Sequence, residues 1–199
     1  MAANVEIGRI VRLQVQTSSL KVPGPRFRAY DPAGIRAVGG LLLDDGGVTG
    51  LDEAGNALPD VHHRDHPSSK FRGENGVSVG FTSHYAAMRA RFPAGLLDGE
   101  AGENVLVETH QIWSEEELSG RLEITTEVGR VVLRAVVVAD PCVELARHLL
   151  KWPPEARPDR TVGEAVAFLG NGVRGFYAEL DGTPARIAVG DIVSVVGAS

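Results

Sequence analysis

Only one of the 199 residues is a cysteine, Cys142. It has no partner for an intrachain disulfide, so a reduced, cytoplasmic setting is the expectation. There is no basic excess either: Lys and Arg number 20 against 26 Asp and Glu, a net charge of −6. Proteins that bind duplex nucleic acid usually carry the opposite balance, and no nucleic-acid partner is expected. No apolar run approaches the ~20 residues that cross a bilayer, which argues against a membrane partner. The opening "MAANVEIGRI" lacks the basic-then-apolar pattern of a signal peptide. What is present suits a globular protein: 43% hydrophobic and 23% charged residues, enough for one cored domain over residues 1–199.

Most of the chain reads as short Val-rich strands between Gly, Asp and Pro turns. "VRLQVQ" places Val11, Leu13 and Val15 at the period of a half-buried strand. "GVSVGF", "NVLVE", "GRLEITTEV", "RVVLRAVVV", "VRGFYAEL", "ARIAV" and "DIVSVV" follow. "RVVLRAVVVAD" is apolar almost throughout and reads as a central strand. Three segments read as helices. "SHYAAMRARF" has Ser83 as N-cap and Tyr85, Met88 and Phe92 on one face. "PCVELARHLLKW" aligns Leu145, Leu149 and Trp152, and "TVGEAVAFLG" opens on Thr161 and Glu164 at capping-box spacing. Strands outnumber helices and do not alternate with them, which predicts a mainly β barrel with peripheral helices. Residues 20–60 are rich in Gly, Asp and Pro and read as a loop-rich insertion, and 151–160 as a Pro-rich surface loop.

Two stretches invite a ligand. "GNGVRG" has the G-x-G-x-x-G frame at Gly170, Gly172 and Gly175, but a helix precedes it and a strand follows. Dinucleotide sites need the reverse order, so the glycines read as a helix end and a tight turn. "DVHHRDHPSSKF" gathers His62, His63, Asp65 and His66. It nearly spells the H-x-H-x-D-H motif of binuclear zinc hydrolases, with Val61 where the first ligand belongs. Three readings stand: a polar loop, a zinc-hydrolase site over His62–His66, or a pocket wall that binds an anion with Arg64, Lys70 and Arg72.

The sharpest signal is "ADPCVELARHLL". Asp140 suits an N-cap and Pro141 the first helical position, placing Cys142 at the second. The positive end of a helix favours thiolate, the reactive form and a soft metal ligand. A small core hydrophobe is the plainer reading of the same residue.

Three stretches in order resemble the MOSC family, named for the C-terminal domain of molybdenum-cofactor sulfurase. "GEN" (Gly102, Glu103, Asn104) resembles its turn into a strand, and "RVVLRAVVVADPCVELAR" the strand that delivers its cysteine. "GVRGFYAEL" and "RIAVGDIVSVV" resemble its closing Arg-Gly strand and Gly-Asp hairpin, here Arg174, Gly175, Gly190 and Asp191. The resemblance implies a β-barrel and binding of the molybdenum cofactor (molybdopterin), with Cys142 as the metal's protein ligand. It implies pterin contacts at the Glu103-Asn104 turn and Arg174. The role of the histidine loop does not carry over from the resemblance; its own chemistry offers Lys70 and Arg72 as further cofactor contacts and His63 or His66 as a proton donor. A stand-alone member is expected to reduce N-hydroxylated small molecules with electrons from a separate donor protein. The alternative is a carrier that holds sulfur, taken from a separate donor protein, or the cofactor on Cys142. Without a desulfurase domain, no pyridoxal phosphate is expected.

Overall fold

The computed structural model describes residues 4–74, 76–118 and 120–196. Its strands are β1 Val5–Gln16, β2 Lys21–Val22, β3 Ala29–Tyr30, β4 Ile35–Val38, β5 Gly40–Asp44, β6 Gly47–Leu51, β7 Ala57–Pro59, β8 Val77–Phe81, β9 Val105–Glu108, β10 Arg121–Thr126, β11 Gly129–Val138, β12 Phe176–Asp181, β13 Ala185–Ala188 and β14 Ile192–Val195. The helices are α1 Thr82–Arg91, α2 Glu115–Leu118, α3 Val143–Leu149 and α4 Arg160–Leu169.

Buried residues alternate along β10 and the start of β12, β8 is buried throughout, and the sheet the main strands form closes on itself. The order is β14-β10-β11-β12-β8-β9-β1, with β1 pairing back to β14, and β4 extends the sheet from the far end of β1. The protein is thus a seven-stranded barrel with peripheral helices. Inside it, Ile10, Leu13, Val79, Phe81, Val105, Val107, Leu122, Leu133 and Phe176 are at most 1% exposed. Among the described residues, only β8 and β9 run parallel, which is why α1 lies between them: a parallel neighbour needs a crossover. Outside the barrel, Tyr85 and Met88 of α1, Leu145 and Leu149 of α3 and Leu169 of α4 share a second core.

Several expectations are corrected. β11 is central, paired on one side by β10 and on the other by β12, but it is not buried throughout: its buried residues are Val131, Leu133 and Val136, and the outer side chains meet solvent. A barrel strand has one wet face wherever no helix covers it. Val11 points outward at 38% exposed, because a bulge between Ile10 and Arg12 shifts the register on β9. The stretch 20–60 is not loop alone. It carries β2 to β7, and β5, β6 and β7 form a second sheet with β13, whose Leu41, Leu43, Val48 and Ile187 join the barrel core. Helix starts also differ. α1 begins at Thr82, and Ser83 Oγ instead donates to Gln111 O at 2.6 Å. α4 is capped by Asp159, which accepts from Thr161 N at 2.8 Å. Trp152 lies beyond α3, whose C-cap is Leu150. The "GNGVRG" glycines end α4 and make the turn expected of them. Gly175 has φ +120, and a Cβ there would lie 2.6 Å from Val79 O.

His84, on α1, is 1% exposed and ties two loops to the barrel. Its Nδ1 donates to Gly172 O and its Nε2 accepts from Trp113 N, both at 3.0 Å. Burial pushes its pKa down from 6.5 to about 4, against the raising effect of those two bonds. The unfolded chain therefore binds a proton that the fold refuses between those values. This contribution is intact above pH 6.5 and is lost as pH falls toward about 4, on the order of 3 kcal/mol in all. Urea melts of the wild type are expected to show that slope. His84→Gln, with one donor, one acceptor and no titrating proton, is expected to flatten it; an unchanged slope would exclude His84 as its source.

Candidate functional site

At one end of the barrel, β11 hands over to α3, and α4 returns to β12. Antiparallel pairing of β11 with β12 brings the two junctions together, tied by Ala139 N–H donating to Gly175 O at 2.9 Å. Cys142 and Arg174 sit at these junctions. Both line a cavity of about 850 Å³ whose other walls include Gln16, Lys21, Arg28, Tyr30, His62, Lys70, Arg72, Gly102, Asn104 and Tyr177.

Cys142 is half-buried and is itself the N-cap of α3, not its second residue. Its backbone is extended, and Sγ accepts from Leu145 N at 3.4 Å. Arg174 reaches Ala101 O at 3.4 Å and lies 5.7 Å from the Tyr177 ring centroid, and its buried Nε has no partner. Burial opposes its charge, but Tyr177, Tyr30, Cys142 and Glu103 more than offset that and hold its pKa above the ordinary value. Lys21, Arg28, Lys70, Arg72 and Arg174 face this cavity, against the carboxylates of Glu74 and Asp140 alone. Burial, then Arg28 and Lys21, lower the pKa of Lys70. Crowded cations in a chain of net charge −6 make a local field for an anion. Gly102 forms part of the floor at φ +89, where a Cβ would lie 2.6 Å from Leu20 Cδ1.

The remaining expected residues take other duties. Asn104 lines the cavity, but its amide is fully engaged. Oδ1 accepts from Ser78 N and Oγ, and Nδ2 donates to Gln14 O and Asp60 Oδ2. It positions the turn and has no bond left for a ligand. Glu103 is 2% exposed beneath the floor. Its Oε2 accepts from Tyr85 Oη–H at 2.9 Å, and its Oε1 has no partner. His63 is buried behind the wall with Nε2 3.2 Å from Asp44 Oδ1, and His66 Nε2 meets Thr17 O at 3.3 Å. Neither lines the cavity. Arg64 turns away to Asp45 at 3.1 Å. The histidine that does line the cavity is His62, whose Nδ1 lies 2.9 Å from Asp60 Oδ1. Asp60 accepts there, so Nδ1 carries a proton and Nε2 is the ring nitrogen left outside that bond. Each imidazole of the cluster thus has a different partner. Among the described residues, no three His, Cys, Asp or Glu side chains converge as a metal site, which leaves the zinc-hydrolase alternative without geometric support.

Sequence reasoning missed Asp60, Tyr30, Lys21 and Arg28. Asp60 left a signal: an aspartate two residues before a histidine can close an Asx-turn, and His62 N does donate to Asp60 Oδ1 at 2.9 Å.

Burial raises the Glu103 pKa from 4.5 to about 6, against the lowering effects of its own backbone N–H, Tyr85, Arg174 and Arg12. The fold therefore holds a proton that the unfolded chain has released. Stability falls as pH rises through that window, by about 2 kcal/mol in all. Glu103→Gln keeps an acceptor for Tyr85 without the charge. It is expected to gain about that amount near neutral pH and little at about pH 4.5, measured by paired urea melts. Equal gains at both pH values would refute the assignment.

No protein-family model matches the chain, and no curated protein matches it. Solved structures share its fold. The YuaD protein from Bacillus subtilis superposes with a TM-score of 0.54 at 15% identity, covering 96% of this chain and 94% of that one. The structure of a hypothetical protein gives 0.55 at 12% identity, over 97% of this chain and 70% of its own. At such identities the likeness is one of fold.

Proposed function

We propose that this cavity binds the molybdenum cofactor and that the chain is an oxidoreductase for N-hydroxylated small molecules, supplied with electrons by a separate protein. One observation carries the reading: a half-buried thiol and five cationic side chains line a single cavity of about 850 Å³. The MOSC-like motifs around Cys142 and Arg174 support it. The donors also fit the group chemically. A cysteine sulfur is a soft ligand suited to molybdenum, and Arg and Lys suit a phosphate. Arg174, with a buried N–H lacking a partner, is the deepest of these cations; Lys21, Arg28, Lys70 and Arg72 add to the same wall.

When bound, the cofactor supplies a two-electron redox centre. The chain's own part is to hold it and to manage water and protons. Cys142, fixed by its bond from Leu145 N, presents Sγ on a rigid element. Tyr30 and Tyr177 wall the cavity with rings that limit water. His62, oriented by Asp60, can pass a proton at Nε2.

The test is protein expressed with cofactor synthesis intact, assayed for molybdenum and for reduction of an N-hydroxylated base by an artificial reductant. Near-stoichiometric molybdenum with turnover is expected. Sulfane sulfur on Cys142 without molybdenum would replace the oxidoreductase by the carrier.

A further inference from the structure

A second cavity, of about 360 Å³, shares the Tyr30 wall with the first. Phe27, Tyr30, His148 and Trp152 give it an aromatic lining, and Arg147 and Lys151 bring two cations. Arg147 is only 7% exposed. It donates to the carbonyls of Arg28, Pro153 and Pro154 at 3.1, 3.1 and 2.8 Å and lies 5.3 Å from the Phe27 ring centroid. One carboxylate, Glu144, also lines the cavity, 3.9 Å from Lys21 Nζ, and none pairs with Arg147 among the described residues. The buried Arg147 Nε and Trp152 Nε1 have no hydrogen-bond partner among the described residues. A buried cation compensated only by neutral dipoles favours an anion.

Lys151 adds a separate observation. Its φ is +51. Lys151 N–H donates to His148 O at 3.0 Å and Trp152 N–H to Arg147 O at 2.8 Å. This is the Schellman ending, whose left-handed position normally takes glycine. Here a lysine occupies it despite the backbone strain, and its side chain lines the cavity.

We propose that the second cavity binds a small planar aromatic anion, an arene carboxylate in class. The ring lies among the aromatic walls, and the carboxylate is drawn to Arg147 and Lys151. The proposal is independent of the molybdenum reading.

Benzoate is the probe, followed by the indole ¹H–¹⁵N signals of the two tryptophans, with Trp152→Phe assigning them. Benzoate is expected to shift the Trp152 signal saturably and leave that of Trp113 in place. Cyclohexanecarboxylate, with the same charge and no flat ring, is expected to bind about tenfold more weakly. Removing Arg147 would strand three carbonyls, so the variant is Lys151→Gly, expected to melt no lower than wild type yet to weaken benzoate about tenfold. Lys70→Ala/Arg72→Ala, altering exposed side chains of the other cavity alone, is expected to leave the benzoate Kd within about twofold. The proposal is overturned by any of four results: no saturable Trp152 shift, equal affinity for the two acids, unchanged affinity in Lys151→Gly, or binding lost with Lys70 and Arg72.

Discussion

Cys142→Ser is expected to melt no lower than the wild-type chain and to carry no molybdenum. The stability half follows from the cap. Sγ accepts from Leu145 N at a long 3.4 Å, and serine is among the preferred N-cap residues, so Oγ can take over that bond. Because the side chain is half-buried at a cavity wall, the hydroxyl is not forced into a dry core. The binding half follows from ligand chemistry: a serine hydroxyl is harder and far less acidic than a thiol. A core-cysteine role predicts the opposite pair, a loss of ~1–3 kcal/mol from burying a hydroxyl with cofactor content untouched. Melting temperature and molybdenum content measured on the same two samples separate the cases. A serine variant that keeps its molybdenum would remove Cys142 from the proposed site.

Asp60→Ala is expected to be the most destabilising single change near the site. Asp60 is 1% exposed and accepts four hydrogen bonds. Oδ2 takes Gln16 N at 2.7 Å and Asn104 Nδ2 at 3.0 Å, and Oδ1 takes His62 N and Nδ1, each at 2.9 Å. Alanine removes the acceptor of two buried donors, Gln16 N and Asn104 Nδ2, the second of which keeps Gln14 O, and of the two half-exposed His62 donors, for a loss of about 3 kcal/mol. Asp60→Asn presents an amide N–H to at least one of the same donors and is expected to lose about 2 kcal/mol. A change under ~1 kcal/mol for alanine, read from urea midpoints at equal m-values, would show that water replaces the carboxylate. Because Asp60 holds both Asn104 and His62, its loss is also expected to disorder one wall of the cavity.

The barrel was legible where inward residues alternate without interruption, as in Val77, Val79 and Phe81 or Leu122 and Ile124. It was illegible where geometry breaks the period. The bulge beside Ile10 turned Val11 outward, although its spacing from Leu13 and Val15 was that of a buried residue. In the 20–60 stretch, strands of two to five residues rich in glycine carry too few side chains to show a period. Yet the two-residue Asp45-Gly46 connection between β5 and β6 was a hairpin signal in plain sight. For the site, Cys142 and Arg174 were visible as residues, while their meeting depends on β11 pairing with β12. The choice among His62, His63 and His66 could not be read at all. Loop side chains follow no repeat, and only Asp60, Asp44 and Thr17 decide which ring faces the cavity.

The pairing of β1 with β14 has a consequence for how the chain is made. Val5 stands opposite Val195 and Arg9 opposite Ile192, so the barrel is sealed by its first and last strands in chain order. At roughly 5–20 residues per second on the ribosome, β1 waits on the order of 10–40 s for its partner. Meanwhile the other strands can form only an open sheet whose β1 and β10 borders await β14. Closing so long a loop is slow as well. A stall or truncation before β14 would leave two bare hydrogen-bonding edges beside an apolar interior, the arrangement that recruits a neighbouring chain. The nascent protein is therefore most vulnerable to aggregation just before synthesis of β14 is complete.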